Sequence, residues 1–164
     1  MIRVIRTYPD KVLRRIAKEV DDVTEDVCTL CNDMVETMQS ARGVGLAANQ
    51  VGVSLRVITV ETGTEKHSAP LAIINPEIVV SEGEDAAEEG CLSIPAYYET
   101  VKRARKVTVS GTDVHGDRLT MECEGLLARA CQHEIDHLNG ILFVDHLSPV
   151  KKQLFKKEFI KEKK

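Results

Sequence analysis

Apolar residues at Val27, Leu30, Cys31, Met34, Val35 and Met38 recur at spacings of three and four, with acids and amides filling the other positions. That period puts them on one face of a helix, so the pattern predicts a helix over 26–39, broken by Ser40 to Gly45. Short apolar and β-branched runs follow at Leu55–Val60, Leu71–Ile74 and Ile78–Val80, and these predict strands. Val107–Val109 and Leu119–Cys123 flank His115-Gly116-Asp117, which reads as a hairpin turn. Glu82–Glu89 is acidic and reads as a loop before Gly90. A second long helix is predicted over Gly125–Asn139, with Gly140 ending it, and Ser148-Pro149 reads as the cap and first residue of a last helix. Helices and strands are grouped rather than alternating, so the expected class is α+β with mainly antiparallel sheet.

The length of 164 residues leaves room for one domain, expected over 1–164. Hydrophobic residues at 43% and charged residues at 29% exclude a disordered tail, a collagen-like chain and a coiled coil. A net charge of −4 argues against DNA binding through bulk charge. No apolar run approaches the ~20 residues of a membrane span. The opening residues, Met1 to Arg6, lack the apolar stretch of a secretory leader, and five cysteines, an odd number, argue against a disulfide framework. A reducing cytoplasm is therefore expected. The segment 150–164 departs from this balance: seven Lys and two Glu give it +5 and leave −9 on the remainder. Val150, Leu154, Phe155 and Phe159 form a narrow apolar stripe there, which predicts a docked helix with a basic outer face. The alternative is an electrostatic contact with RNA or another acidic partner.

The strongest chemical signal is His133-Glu134-Ile135-Asp136-His137. Helical positions i and i+4 lie one above the other, so two imidazoles converge on one ion, and Glu134 can reach a water beside it without binding the metal. A catalytic site of this type takes a third protein ligand and keeps a position open. The spacing that would place a third histidine downstream lands on Phe143, which cannot ligate. Glu158 in the last helix is one candidate. Cys91, in Glu89-Gly90-Cys91-Leu92-Ser93, is better placed, because Gly90 lets the backbone come close. His146 joining Cys91, His133 and His137 would instead close the site and make it structural, and Glu158 in place of Cys91 would suit a metallopeptidase. Cys28-x-x-Cys31 reads as core packing, Cys123 as part of a strand, and Cys131 as pointing to another side of its helix. His67 and His115 read as loop residues. The Gly43-x-Gly45-x-x-Ala48 spacing mimics a dinucleotide fingerprint, but a helix rather than a strand precedes it.

Three blocks together, Gly43 to Gln50, Glu89 to Ser93 and Gln132 to His137, resemble the peptide deformylase family in order and spacing, over essentially the whole chain. The resemblance implies antiparallel sheets packed around a central metal-binding helix, with further helices near each end. It implies removal of the N-formyl group from formyl-methionine at the start of newly made polypeptides, a step of protein biosynthesis. It implies Cys91, His133 and His137 as metal ligands, with Fe²⁺ as the native ion and Ni²⁺, Co²⁺ or Zn²⁺ as substitutes. Glu134 is then the general base, and the Leu92 N–H and Gln50 amide are donors to the oxyanion. Gly45 meets the substrate backbone, and Val44, Leu92, Arg129 and Ala130 surround the methionine side chain. Glu89 and Arg103 resemble an ion pair near the site, and Asp136 supports a ligand or caps a neighbouring segment. Some relatives carry Arg where this chain has Tyr98. Nascent chains are the implied substrate, and the Lys-rich last helix is the expected contact with a ribosome.

Overall fold

The structure, a computed structural model, describes residues 1–61 and 69–162. His67 lies outside the described residues. Helix α1 (Glu25–Ser40) exceeds its predicted span by one residue at each end. The Thr24 hydroxyl caps it by accepting the Val27 N–H at 3.3 Å, and Glu25 and Asp26 sit at the positive end of its dipole. There follow β1 (Gly45–Ala47), β2 (Val57–Val60), β3 (Leu71–Glu82), β4 (Asp85–Cys91), β5 (Ile94–Arg103), β6 (Lys106–Thr112), β7 (Arg118–Glu124), α2 (Gly125–Leu138) and α3 (Pro149–Glu162). The class is α+β, as the grouping of elements predicts, and every pairing between these strands is antiparallel.

Five strands form one sheet in the order β1-β2-β3-β6-β7, and β4-β5 form a separate two-stranded sheet. In the large sheet the period-two alternation sorts side chains to two helices. Val57, Ala72 and Ile74 pack with Leu30, Met34 and Met38 of α1. Ile58, Val60 and Ile73 pack on the opposite face with Leu127, Cys131, Ile135 and Leu138 of α2. Strand β2 is therefore buried on both faces. Helix α2 is buried nearly all round, which marks it as the central helix. It ends where Gly140, at φ 73°, turns the chain, and a Cβ there would lie 2.6 Å from the Arg14 carbonyl oxygen.

Three sequence expectations change. Glu82–Glu89 is not a loop: most of it is β4, whose backbone is satisfied by β5, with Glu89 opposite Glu99. Its acids mark an exposed hairpin rather than an unpaired segment, and only Glu89 turns inward. The runs Leu71–Ile74 and Ile78–Val80 are one strand, β3, kept continuous by register shifts between Ile74 and Glu77 and between Ile78 and Val80. The first shift spans Pro76, which has no N–H for the ladder. The predicted stripe on the last helix is half right. Phe155 and Phe159 are buried, while Val150 and Leu154 face outward at 67% and 55% exposure.

The two phenylalanines anchor α3 to the third core, with Ile94 and Val101 of β5 and Phe143. The Phe155 ring lies 4.8 Å from that of Tyr97 and 5.3 Å from that of Tyr8. Its removal should leave α3 held by one aromatic residue. Phe155→Ala is expected to cost about 3 kcal/mol of stability in urea unfolding, with α3 amides losing hydrogen-exchange protection first.

Candidate metal centre

His133 and His137 stand one turn apart on α2, with ring centroids 4.9 Å apart and Nε2 atoms 3.2 Å apart. Cys91 ends β4, just before the tight turn that pairs it with Ile94. Its Sγ lies 3.3 Å from His137 Nε2. The three donor atoms all fall within 4.8 Å of one another. His146 and Glu158 do not join them. His146 bonds Asp136 instead, and Glu158 is exposed on α3. The closed-site and peptidase ligand sets are therefore not the ones assembled.

Proton positions around the cluster follow from Glu89. Its side chain is 5% exposed and surrounded by Arg103, Arg129 and His133. Burial opposes its charge, but the hydrogen bond from His133 and the Arg103 guanidinium outweigh it and hold its pKa down at about 2. Charged Glu89 accepts the proton of His133 Nδ1 at 2.9 Å, which leaves Nε2 as the ring atom facing His137. Burial opposes a charge on His133, but Glu134, Cys91 and Glu89 outweigh it and raise its pKa well above the ordinary value. His137 is fully interior, and burial together with nearby positive charge holds its pKa well below the ordinary value. Two ring nitrogens and one sulfur thus meet at one point. Nitrogen with sulfur at this spacing suits a divalent transition metal. The residues fit the ion that the sequence implies.

Glu134 lies beside this cluster, 4% exposed. Burial pushes its pKa up to about 7. Among the described residues its Oε1 has no hydrogen-bond partner. Its other oxygen fills the space left by the missing side chain of Gly45: a Cβ there would lie 2.5 Å from Oε2. Gln50 is also buried. Its Oε1 accepts the Ala47 N–H at 2.9 Å, which fixes the amide orientation and turns Nε2 toward Ser93 Oγ at 3.0 Å and Cys91 Sγ at 3.6 Å.

These groups open on a cavity of about 380 Å³, whose walls include Val44, Gly45, Leu92, Arg129, Ala130 and Glu134. The residues expected as ligands, catalytic groups and substrate contacts thus line the cavity, apart from His137, which belongs to the donor cluster but not to the cavity wall. Arg103 and Asp136 line neither. Arg129 differs in character from the expectation. Its guanidinium is committed to Glu89, the Val101 carbonyl and the Asp85 carbonyl. Glu89 and Arg103 form a buried pair, not a surface one. Arg42, Leu126 and the Tyr98 ring, which lies over Gly90, complete the cavity mouth, and no local pattern in the sequence marks Arg42 or Leu126. Asn49 was also missed: its amide donates to the Arg15 and His137 carbonyls at 2.8 Å and ties the end of α2 to the N-terminal segment.

All five cysteines are free thiols. Cys31 is buried in the core as expected, while Cys28 is half-buried and donates to the Val114 carbonyl. Cys123 lies in strand β7 as expected, and it and Cys131 are buried in the core between the large sheet and α2. Gly45 opens a strand rather than a phosphate-binding helix, so the dinucleotide spacing is coincidental.

Two histidines and a buried carboxylate on one helix, a thiol across from them and an open cavity define a mononuclear metallohydrolase centre. The polypeptide deformylase family profile matches residues 2–153. The chain is 49% identical over 156 residues to the peptide deformylase of Thermodesulfovibrio yellowstonii, covering 94% of each. It is 51% identical to that of Afipia carboxidovorans over 166 residues, covering 99% of this chain and 96% of the relative. The crystal structure of a peptide deformylase from Legionella pneumophila superposes with a TM-score of 0.92 at 52% identity, over 99% of this chain and 96% of that one. This chain belongs to the polypeptide deformylase family.

The depressed pKa of Glu89 sets a pH dependence. Because its folded pKa is below the unfolded value of 4.5, it stabilises the fold fully above about pH 4.5, and that contribution fades as pH falls toward 2. Glu89→Gln should therefore be less stable than the parent by roughly 3 kcal/mol at pH 7. Urea unfolding at a series of pH values should show this gap narrowing below pH 4.5.

Proposed function

We propose that the chain removes the formyl group from the N-terminal formyl-methionine of newly synthesised polypeptides and releases formate, as a single catalytic unit over residues 1–164. The observation that carries this reading is the buried Glu134 carboxyl, unpartnered at Oε1, beside a convergent set of two nitrogens and one sulfur. A divalent ion held by Cys91, His133 and His137 would supply Lewis acidity and lower the pKa of the attacking water. The resemblance favours Fe²⁺ as the native ion, with Ni²⁺, Co²⁺ or Zn²⁺ as replacements.

With a pKa near 7, Glu134 is suited to take the proton of the water that attacks the formyl carbon. It then returns that proton to the amine nitrogen as the C–N bond breaks, leaving formate and a free methionyl terminus. The carbonyl oxygen gains negative charge during attack, and the Leu92 N–H and the Gln50 Nε2–H are the donors that meet it. The long contact from Gln50 Nε2 to Cys91 Sγ leaves this N–H available for a better acceptor. Gly45 lets the substrate backbone lie close to Glu134. Val44, Leu92, Ala130 and Arg129, its charge already satisfied, form the pocket for the methionine side chain. Nascent chains in the cytoplasm are the natural source of such substrates. The basic face of α3 is the surface we assign to a ribosome contact, and neither DNA nor a membrane is a partner in this reading.

The test is formate release from a formyl-Met tripeptide by chain purified without oxygen and loaded with Fe²⁺ or Ni²⁺. Release that requires the metal and spares the acetyl-Met peptide supports the reading, and no formate from folded, loaded chain overturns it. Gln50→Ala should lower turnover about 100–1,000-fold with metal content unchanged, and full turnover in that variant would remove Gln50 from the mechanism.

A further inference from the structure

We propose that Asp136 and His146 form a latch that keeps Arg103 seated on Glu89 and thereby positions His133. The proposal rests on the reading of Cys91, His133 and His137 as metal ligands. Charge counting motivates it. Glu89 carries one negative charge but faces two guanidiniums, Arg103 and Arg129, both nearly buried. Neither guanidinium can shed its proton inside a protein, so further carboxylates are needed, and Arg129 has the Asp85 carboxylate at 3.9 Å. Asp136 is the one that serves Arg103: its Oδ2 accepts Arg103 Nη1 at 2.8 Å. Arg103 Nε and Nη2 grip both oxygens of Glu89 at 2.6 and 2.9 Å, so the guanidinium bridges the two acids.

The same Asp136 Oδ2 also accepts His146 Nε2 at 2.8 Å. His146 belongs to the 3-10 turn Phe143–His146 that leads into α3, and its side chain is 38% exposed. A neutral imidazole donates from Nε2 as well as a charged one, so the contact needs no titration. A continuous chain of hydrogen bonds therefore runs from the surface to a metal ligand: His146, Asp136, Arg103, Glu89, His133.

A second cavity of about 380 Å³ explains why a latch is required. Arg103, Asp136 and His146 are on its wall, together with Lys102, Glu84 and Gln132. This polar space gives the Arg103 guanidinium somewhere to go. While Asp136 holds Nη1, both ends of the fork are occupied and the side chain stays on Glu89. Without that hold, Arg103 can turn into the cavity, and Glu89 loses the grip that aims Oε1 at His133 Nδ1. Asp136 and His146 are positioning residues, since neither touches the metal cluster or lines the substrate cavity.

The test uses the full chain loaded with Co²⁺, following ion loss to excess chelator and the cobalt–thiolate and ligand-field absorption bands. Losing a direct partner of a ligand weakens metal binding about 10–100-fold, so a more remote hold should act at or below the lower end. Asp136→Asn is expected to release Co²⁺ about tenfold faster and His146→Phe about threefold faster, both with shifted ligand-field bands. His146→Gln, which keeps an N–H for Asp136, should release at close to the parent rate. With the formyl-Met tripeptide, kcat should fall while KM holds, because the methionine pocket is untouched. His146→Phe replaces a half-exposed side chain, so it carries the test even if Asp136→Asn fails to fold. Parent-like release and spectra in His146→Phe overturn the latch. Failure of the parent chain to bind Co²⁺ would instead overturn the metal-centre reading, and the latch with it.

Discussion

The structure depends on one buried carboxylate. Glu89 sits in the interior with its charge intact, which is tolerable only because Arg103, Arg129 and His133 surround it. Those partners come from β5 and α2, while Glu89 itself comes from β4. The small hairpin is thus fastened to the central helix by ions as well as by apolar packing. The same contacts let α2 carry Arg129 and His133 into the interior, because Glu89 pairs with both. Docking of the hairpin and preparation of the metal ligands are therefore one event.

Two acids illustrate how environment divides chemical roles. Glu89 and Glu134 are both buried, yet one titrates near 2 and the other near 7. Glu89 is enclosed by hydrogen-bond donors that favour the ion. Glu134 pays the desolvation cost with an oxygen left unbonded, and so its proton is mobile at neutral pH. The first suits a fixed charge and the second suits the proton transfer proposed for it.

Much of this was legible in the chain. The two long helices and the β6–β7 hairpin show clear periodicities because one face of each is core and the other is not. The metal pair was legible because an i, i+4 spacing carries its own geometry. The β4–β5 hairpin was not: its alternation is blurred by exposed acids, and the one acid that turns inward does so for partners far along the sequence. Arg129 reads as a pocket wall and does line the cavity, but nothing local in the sequence shows that its guanidinium also neutralises Glu89. His146 is a candidate ligand by residue type alone, but the turn before α3 gives it to Asp136. Cys91 was singled out by its neighbours and by family resemblance rather than by any periodicity.

The provenance of the three donors has a thermodynamic consequence. Cys91 comes from the small hairpin and His137 from the central helix, 46 positions later, so an ion gripped by both ties a loop of the chain shut. A ligand that binds only the folded form adds stability that grows with the logarithm of its free concentration. Fold and cofactor supply are then coupled. If the cluster holds such an ion, its loss would remove one of the ties between hairpin and helix. The stability of this protein would in that way follow the metal content of its surroundings, with no separate sensor.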